Sequence, residues 1–245
     1  MTLSPHAEEA APRPSPSMLP PPRAILFDWD NTLVDSWLTI HEALNFLMRA
    51  MDQPEWTLTD TKERVRLSLR EAFPMYFGER WEEARDIYLE RFRAIHLDRL
   101  TPLPGRETLL RALTGQGIFL GVVSNKTGDL LRREVAQLGW AEYFGSIVGA
   151  GDTAADKPAC EPVHLALASS GVGAGRDVWF VGDTAIDIEC ARNSGCIGVL
   201  FADAMPPEAF AREFAHFAPD LSFTDGAGLL RGIRGLRFEP LRPSS

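Results

Sequence analysis

Short apolar segments alternate with helical periodicity along most of this chain, and this alternation constrains the fold more than any other feature. Ala24-Ile25-Leu26-Phe27 is the first such segment and ends directly at Asp28. Runs of this kind are typical of strands buried on both faces of a parallel sheet. The other predicted strands are 118–123, 146–148, 178–181 and 197–201, and the predicted helices are 107–113, 129–138, 162–170 and 184–194. The predicted fold class is α/β, with a doubly wound, mostly parallel (Rossmann-like) sheet.

One long interval after the first strand breaks this alternation. Its apolar periodicity predicts three or four amphipathic helices, at 37–51, 59–73 and 79–97, and no strand. The Pro102-Leu103-Pro104-Gly105 segment then marks the return to alternating strands and helices, because proline and glycine together punctuate a boundary. The sequence therefore predicts an α-helical cap at 36–100, inserted into the α/β core after its first strand.

The N-terminal 23 residues differ in composition from the rest of the chain. They contain seven of the 18 prolines and little apolar periodicity, which predicts a disordered or polyproline-like tail at 1–23. The α/β core is then predicted at 24–35 and 101–245.

Charge and cysteine content narrow the classes of function. The chain has 25 basic and 34 acidic side chains, a net charge of −9, which is the wrong sign for a general nucleic-acid or anionic-membrane binder. An anionic substrate would therefore need local basic groups or a metal cation. The three cysteines are odd in number and lack CxxC spacing, so the sequence predicts neither a disulfide framework nor a zinc site. No apolar run approaches the roughly 18 residues of a membrane span, and a cytoplasmic location is expected.

Polar side chains follow the predicted strands, where the ligands of open parallel sheets bind. A lone aspartate at a strand end is most simply a helix cap or turn former, but clustered carboxylates repel one another and need a cation. The residues at these positions are Asp28, Asp30 and Thr32 after the first strand, Ser124, Asn125 and Lys126 after the second, and Asp183 and Asp187 after the fourth, with Lys157 ahead of a helix.

The spacing of these residues suggests phosphoryl chemistry. Asp28 and Asp30 are two residues apart on a chain that leaves a strand, so both can face one substrate, one as nucleophile and one as acid. The carboxylates of the GDTAID segment, Asp183 and Asp187, are oxygen ligands suited to a hard divalent ion of the magnesium type. The predicted donors to a bound phosphoryl group are Lys157, Ser124 and Asn125.

Four segments stand in order along the chain: FDWDNTLVDS at 27–36, VVSNK at 122–126, the lysine of DKPACEPV at 156–163, and VGDTAIDIECARNSG at 181–195. They resemble the four motifs of the haloacid dehalogenase superfamily, and the resemblance spans residues 24 to about 200. The helical insertion lies where that superfamily has its small α-helical cap. The SNK sequence and the GDTxxD-type loop resemble the phosphoglycolate phosphatase-like branch.

The resemblance implies a role for each motif residue. Asp28 would be the nucleophile that forms an aspartyl-phosphate, and Asp30 the general acid and then the general base. Ser124 and Lys157 would bind the transferring phosphoryl group. The magnesium ligands it implies are the carboxylate of Asp28, the backbone carbonyl of Asp30, and Asp183, with Asp187 supporting them.

Two positions of the first motif depart from the common form of that branch. Trp29 and Asn31 stand where leucine and glycine are usual. Alternation points Trp29 away from the aspartates and into the core, and asparagine can adopt the turn conformations of glycine. We expect the chemistry to survive both changes.

The cap is where substrate choice is expected. Lys62, Arg66 and Arg70 fall at i, i+4 and i+8, which predicts one basic helix face that could attract an anionic substrate; the alternative is a solvated face relieved by neighbouring acidic residues. Trp37, Tyr76 and Trp81 are expected to pack. The candidate substrate-binding residues are Thr32, Asn125, Lys157, Arg66 and Arg70.

The predicted function is magnesium-dependent hydrolysis of phosphomonoesters of small anionic metabolites, phosphoglycolate among them. A 2-haloacid dehalogenase is the nearest alternative, but halide leaves without a proton, so Asp30 would be idle. A sugar-phosphate mutase would share every motif. A non-catalytic partner-binding protein is a further alternative, against which the clustered carboxylates argue. The expected partner is a small phosphorylated metabolite, with no nucleic acid and no membrane.

Overall fold

The structure is a computed structural model that describes residues 19–202, 207–215 and 218–237. Most of the predicted N-terminal tail, residues 1–18, lies outside this part. Within it, Leu19 is 5% exposed and packs into the main apolar cluster of the core. This end of the predicted tail therefore contributes apolar surface to the core, whereas a solvated tail would leave Leu19 in water.

Six parallel strands form the central sheet, in the order β5-β4-β1-β6-β7-β8. The strands are β1 (Ala24–Phe27), β4 (Phe119–Thr127), β5 (Ser146–Ala150), β6 (Val178–Gly182), β7 (Ile197–Phe201) and β8 (Leu221–Phe223). Two further short strands, β2 (Val34–Asp35) and β3 (Thr101–Pro102), pair antiparallel at the two junctions between the core and the helical interval. The five predicted core strands are confirmed; the edge strand β8 was not predicted, since two half-buried residues on either side of an exposed one give little periodicity.

Helices cover both faces of the sheet. Alternate residues of β1 separate the two layers: Ile25 and Phe27 belong to one apolar cluster, and Ala24 and Leu26 to the other. The first cluster includes residues of α5 (Arg106–Thr114), α6 (Gly128–Gln137) and α10 (Gly226–Arg237), and the second includes residues of α7 (Glu161–Leu167) and α8 (Ala185–Asn193). A further helix, α9 (Pro207–Glu213), follows β7. The doubly wound α/β class is confirmed.

The interval after the first strand is helical, as predicted. Its helices are α1 (Trp37–Ala50), α2 (Leu58–Arg64), α3 (Leu69–Phe77) and α4 (Trp81–Ile95). Their apolar faces meet in a separate cluster that includes Leu44, Phe73 and Phe92. Across the described residues, no helix is both long enough and apolar enough to span a membrane.

One predicted helix of this interval, 59–73, is wrong. The chain forms α2 and α3 there, because Val65 is extended at φ −82° and ψ 101° and interrupts the helix. Lys62 therefore lies on α2, Arg66 lies between the helices and Arg70 lies on α3. The single basic helix face predicted from their spacing does not exist.

Candidate active site

The carboxyl ends of three neighbouring strands meet at one edge of the sheet. Phe27 at the end of β1 pairs with Val122 of β4 and Val181 of β6. The residues that follow these positions, Asp28, Ser124 and Asp183, therefore lie at the same edge. The structure thus brings residues of the first, second and fourth motifs to one edge of the sheet.

The loop after β1 turns sharply between Asp28 and β2. Asn31 adopts φ 62°, in the left-handed region that glycine favours, and its side-chain oxygen accepts a hydrogen bond from the Ser36 backbone at 3.2 Å. Trp29 is fully buried. Both departures from the usual first motif are thus accommodated as predicted: one residue makes the turn, and the other packs into the core.

A buried lysine lies between two aspartates of the site. The Lys157 ammonium donates to Asp28 Oδ1 at 2.6 Å and to Asp187 Oδ1 at 2.7 Å, and the lysine side chain is 3% exposed. Asn125 fixes the backbone of this lysine through two hydrogen bonds, one to its carbonyl at 3.1 Å and one from its N–H at 3.0 Å. The Asn125 amide, which was predicted to contact substrate, therefore holds the backbone of Lys157.

The GDTAID turn presents its two aspartates differently. Asp187 Oδ2 accepts hydrogen bonds from the backbone of Asp183 and from the backbone and hydroxyl of Thr184, closing a capping box at the start of α8. The aspartate side chain lies so close to Gly182 that a Cβ there would be 2.3 Å from it. Asp183 Oδ1 instead accepts one hydrogen bond, from the Thr32 hydroxyl at 2.9 Å. Asp187 is the anchored carboxylate of the pair.

The carboxylates around Lys157 carry more negative charge than the lysine offsets. Oxygens of Asp28, Asp183 and Asp187 lie within 4.8 Å of one another. Burial raises the pKa of Asp28 to about 7, and repulsion from Asp187 and Asp30 adds to it against the opposing effect of Lys157. Burial, with repulsion from Asp187 and Asp28, also holds the pKa of Asp183 well above its usual range. An oxygen-rich, uncompensated cluster of this kind fits a hard divalent cation, which would stabilise the ionised forms.

A second buried lysine contacts the other aspartate of the first motif. The Lys126 ammonium donates to Asp30 Oδ1 and to Glu134 Oε2, both at 2.6 Å. Glu134 also accepts hydrogen bonds from Trp29 Nε1 and from His96 Nδ1, each at 2.7 Å. The sequence predicted no functional role for Glu134 or His96. Only three of the 25 basic residues are lysines, a rarity that could have directed attention to Lys126.

These aspartates and lysines line a cavity of about 120 Å³ between the sheet edge and the helices. One water molecule needs roughly 10–15 Å³ of such space, so the cavity has room for several water molecules or for a small polar molecule of similar size. The part of the lining that comes from the helical interval is largely apolar and includes Trp37, which was expected only to pack, and Tyr88. Arg66 also lines the cavity, and its guanidinium lies 3.4 Å from Glu213.

Two predicted substrate contacts lie outside the cavity lining. Thr32 is fully buried and gives its hydroxyl to Asp183, so it orients that carboxylate. The Arg70 guanidinium donates from Nε and Nη2 to the two oxygens of Asp156, at 2.6 and 2.5 Å. Asp156 directly precedes Lys157, so Arg70 ties α3 to the loop that carries the lysine.

Comparison with known proteins agrees with this geometry. The pattern of the family described as haloacid dehalogenase-like hydrolase matches residues 25–200. A phosphoglycolate phosphatase of Xanthomonas campestris pv. campestris is 32% identical over 179 residues, which are 71% of this chain and 80% of that protein. A Clostridium perfringens protein with a provisional pyrophosphatase name, PpaX, is 28% identical over 200 residues, 81% of this chain and 92% of that protein.

Solved structures give the same result. A HAD-superfamily hydrolase from Ehrlichia chaffeensis superposes with a TM-score of 0.61 at 27% identity, covering 89% of this chain and 99% of that one. A haloacid dehalogenase-like family hydrolase from Streptococcus pneumoniae gives a TM-score of 0.73 at 22% identity, covers 88% of this chain and 98% of that one, and shares the fold. The chain therefore belongs to the haloacid dehalogenase-like hydrolase family, as a member of its phosphoglycolate phosphatase-like branch.

Proposed function

We propose that this hydrolase is a magnesium-dependent phosphomonoesterase of small anionic metabolites that acts through an aspartyl-phosphate. The observation that carries the proposal is that the two aspartates of the first motif have different partners. Asp28 is paired with Lys157 beside Asp183, whereas Asp30 is paired with Lys126, and both aspartates line one cavity. A nucleophile and a separate acid are what cleavage of an alkyl phosphate ester requires.

In the proposed reaction, an oxygen of Asp28 attacks phosphorus while Asp30 protonates the leaving alkoxide. Asp30 then takes a proton from the water that hydrolyses the aspartyl-phosphate. Lys157 and the Ser124 hydroxyl donate to the phosphoryl oxygens. Bound Mg²⁺ would supply positive charge to the phosphoryl group, held by the Asp28 and Asp183 carboxylates and the Asp30 backbone carbonyl. Asp187, whose two oxygens already accept from Lys157 and the α8 turn, supports this site.

The substrate is proposed from the relatives and from the cavity. Phosphoglycolate is the substrate in the names of several relatives, and Arg66 is a cation placed to meet a carboxylate on the leaving group. The three cysteines are free, which supports the proposed cytoplasmic location. Pyrophosphate is a second candidate, because of the similarity to PpaX.

The test is a substrate panel with purified protein and Mg²⁺. It contains phosphoglycolate, alkyl and sugar phosphates, pyrophosphate and a 2-haloacid, and phosphate or halide release is measured, with Asp28→Asn as the background. We expect phosphate release from at least one monoester and no halide release. Isomerisation of a sugar phosphate without phosphate release would instead identify a mutase, and an inactive panel would remove the proposal.

A further inference from the structure

We propose that Lys126 is the residue that positions the general acid Asp30, and that buried Glu134 and His96 hold Lys126 in place. The inference rests on the proposed function, because that function gives Asp30 its proton-transfer role. It gives roles to Lys126, Glu134 and His96, to which the motif resemblance assigned none.

The Lys126 and Asp30 side chains are in direct contact. The Lys126 ammonium lies 2.6 Å from Asp30 Oδ1, and its side chain is 5% exposed. The same nitrogen lies 5.0 Å from the centre of the Phe92 ring on α4, a cation–π contact from the cap. Lys126 engages one oxygen of Asp30, which leaves the other to carry the proton that reaches the leaving group.

The Lys126 ammonium is itself held by other buried groups. A lysine side chain is flexible and fixes a partner only where its own ammonium is fixed. Glu134 of α6 supplies the anchor at 2.6 Å, and this carboxylate is itself held by Trp29 Nε1 and His96 Nδ1 at 2.7 Å each. The Glu134 and His96 side chains are 2% and 1% exposed. Contacts from the first-motif loop, from β4 and from the chain after α4 therefore converge on one carboxylate of α6.

Stability alone does not account for this buried cluster around Lys126. A buried ion pair is weak evidence for stability, because apolar side chains of similar volume often stabilise a fold as well or better. Asp30 is the most exposed carboxylate of this cluster at 18%, and it opens onto the cavity. Glu134 holds Lys126, and Lys126 holds Asp30, so these fixed groups orient the carboxylate that reacts.

The consequence is a specific kinetic signature. If Lys126 acts through Asp30, Lys126→Met should lower kcat for an alkyl phosphate by about 10²-fold, the loss typical of a misplaced reacting group. The first step with p-nitrophenyl phosphate, whose leaving group needs no proton, should change much less. Dephosphorylation needs Asp30 for both substrates, so the aryl ester should show a burst followed by a slow steady rate. Because the phosphoenzyme then accumulates, KM for the aryl ester should fall rather than rise.

The experiment compares Lys126→Met, Lys126→Met/Glu134→Gln and Asp30→Asn with the wild type. The double variant removes the buried charge pair together, so it should regain the thermal stability that the single variant loses while keeping the leaving-group-dependent loss. Arg111→Met removes an exposed cation of α5, 71% exposed, and is the control. Burst size, steady rates on both esters, KM and melting temperature are measured.

Equal losses in the rate of the first step on both esters, a rise in KM alone, or full alkyl-ester activity in the double variant would overturn the inference. So would a double variant that fails to fold, since the cluster would then be a folding element.

The proposed function fails separately: if the wild type is inactive, or if Asp30→Asn lacks the signature, both proposals fall. If Asp30→Asn has the signature and the Lys126 variants lack it, the positioning role alone falls.

Discussion

Two buried lysines lie at the same sheet edge, and each is held between two carboxylates. The Lys157 cluster contains Asp28, Asp187 and Asp183; the Lys126 cluster contains Asp30, Glu134, His96 and Trp29. The Lys157 cluster has three carboxylates for one ammonium, and burial with mutual repulsion raises the pKa of Asp28 to about 7. In the Lys126 cluster, burial alone would raise the pKa of Glu134, but Lys126 and hydrogen bonds from His96 and Trp29 outweigh it and lower that pKa.

This difference shows how two clusters at one edge of the sheet can have different roles. The Lys157 cluster is short of positive charge, which suits a site that receives a cation and a phosphoryl group. The Lys126 cluster is satisfied by the protein itself, which suits a group that must hold one orientation. Neighbouring aspartates of the first motif can therefore have different roles because their surroundings differ.

The largest expected effect comes from the nucleophile. We expect Asp28→Asn to reduce turnover by at least about 10⁴-fold, because an amide cannot form the acyl phosphate. The melting temperature should be unchanged or higher, since the substitution removes one of three crowded carboxylates. Phosphate release and thermal unfolding measure these outcomes. Asp86→Asn, at an exposed ion pair of α4, is the control, and near-wild-type activity of Asp28→Asn would take Asp28 out of the mechanism.

The second prediction asks whether the two clusters differ in metal binding. Excess chelator should abolish turnover and added Mg²⁺ should restore it. Mg²⁺ at about 100 times its Kd should stabilise the wild type by about 2.7 kcal/mol, and Asp183→Asn should lose most of this effect. Glu134→Gln should keep it. Melting temperatures with and without Mg²⁺ test the difference, and full activity in chelator would contradict it.

The third prediction concerns the acid. Asp30→Asn should lower turnover of alkyl phosphates by about 10² to 10⁴-fold. An aryl phosphate should give a burst of phenol followed by a low steady rate, with a phosphoryl group trapped on Asp28. Rapid-quench kinetics and mass measurement of the intact protein detect both. Equal loss of the burst and of the steady rate, on activated and unactivated esters alike, would make Asp30 a structural or metal-site residue.

The smallest effect is on stability. Because the pKa of Glu134 is lowered in the folded protein from its ordinary 4.5, its ionised form stabilises the fold above about pH 4.5, and this contribution is lost as pH falls through the lower, folded value. Glu134→Gln should cost about 1–3 kcal/mol of unfolding free energy at pH 7, and less as the pH drops below 4.5. Denaturant unfolding at several pH values measures this. Glu107→Gln, at an exposed pair with Arg111, is the control, and a pH-independent difference would contradict the assignment.

The sequence by itself determined the core strands and the members of the Lys157 cluster. Buried parallel strands are short, continuous apolar runs, and the residues after them meet at one edge, so Asp28, Ser124 and Asp183 were brought together by a local pattern and a general rule. Lys157 was predicted from its charge as a donor to a phosphoryl group, and the resemblance gave it the same role. These inferences needed no knowledge of which helices pack where.

Only the tertiary structure decided the rest. The extended Val65 split a helix whose periodicity looked continuous, and so separated Arg66 from Arg70. The Lys126 cluster draws Trp29, His96 and Glu134 from three distant parts of the chain, and no spacing along the sequence encodes that meeting. Hydrophobic periodicity reports which side of an element is buried, whereas the partner of a buried charge is set by packing between elements.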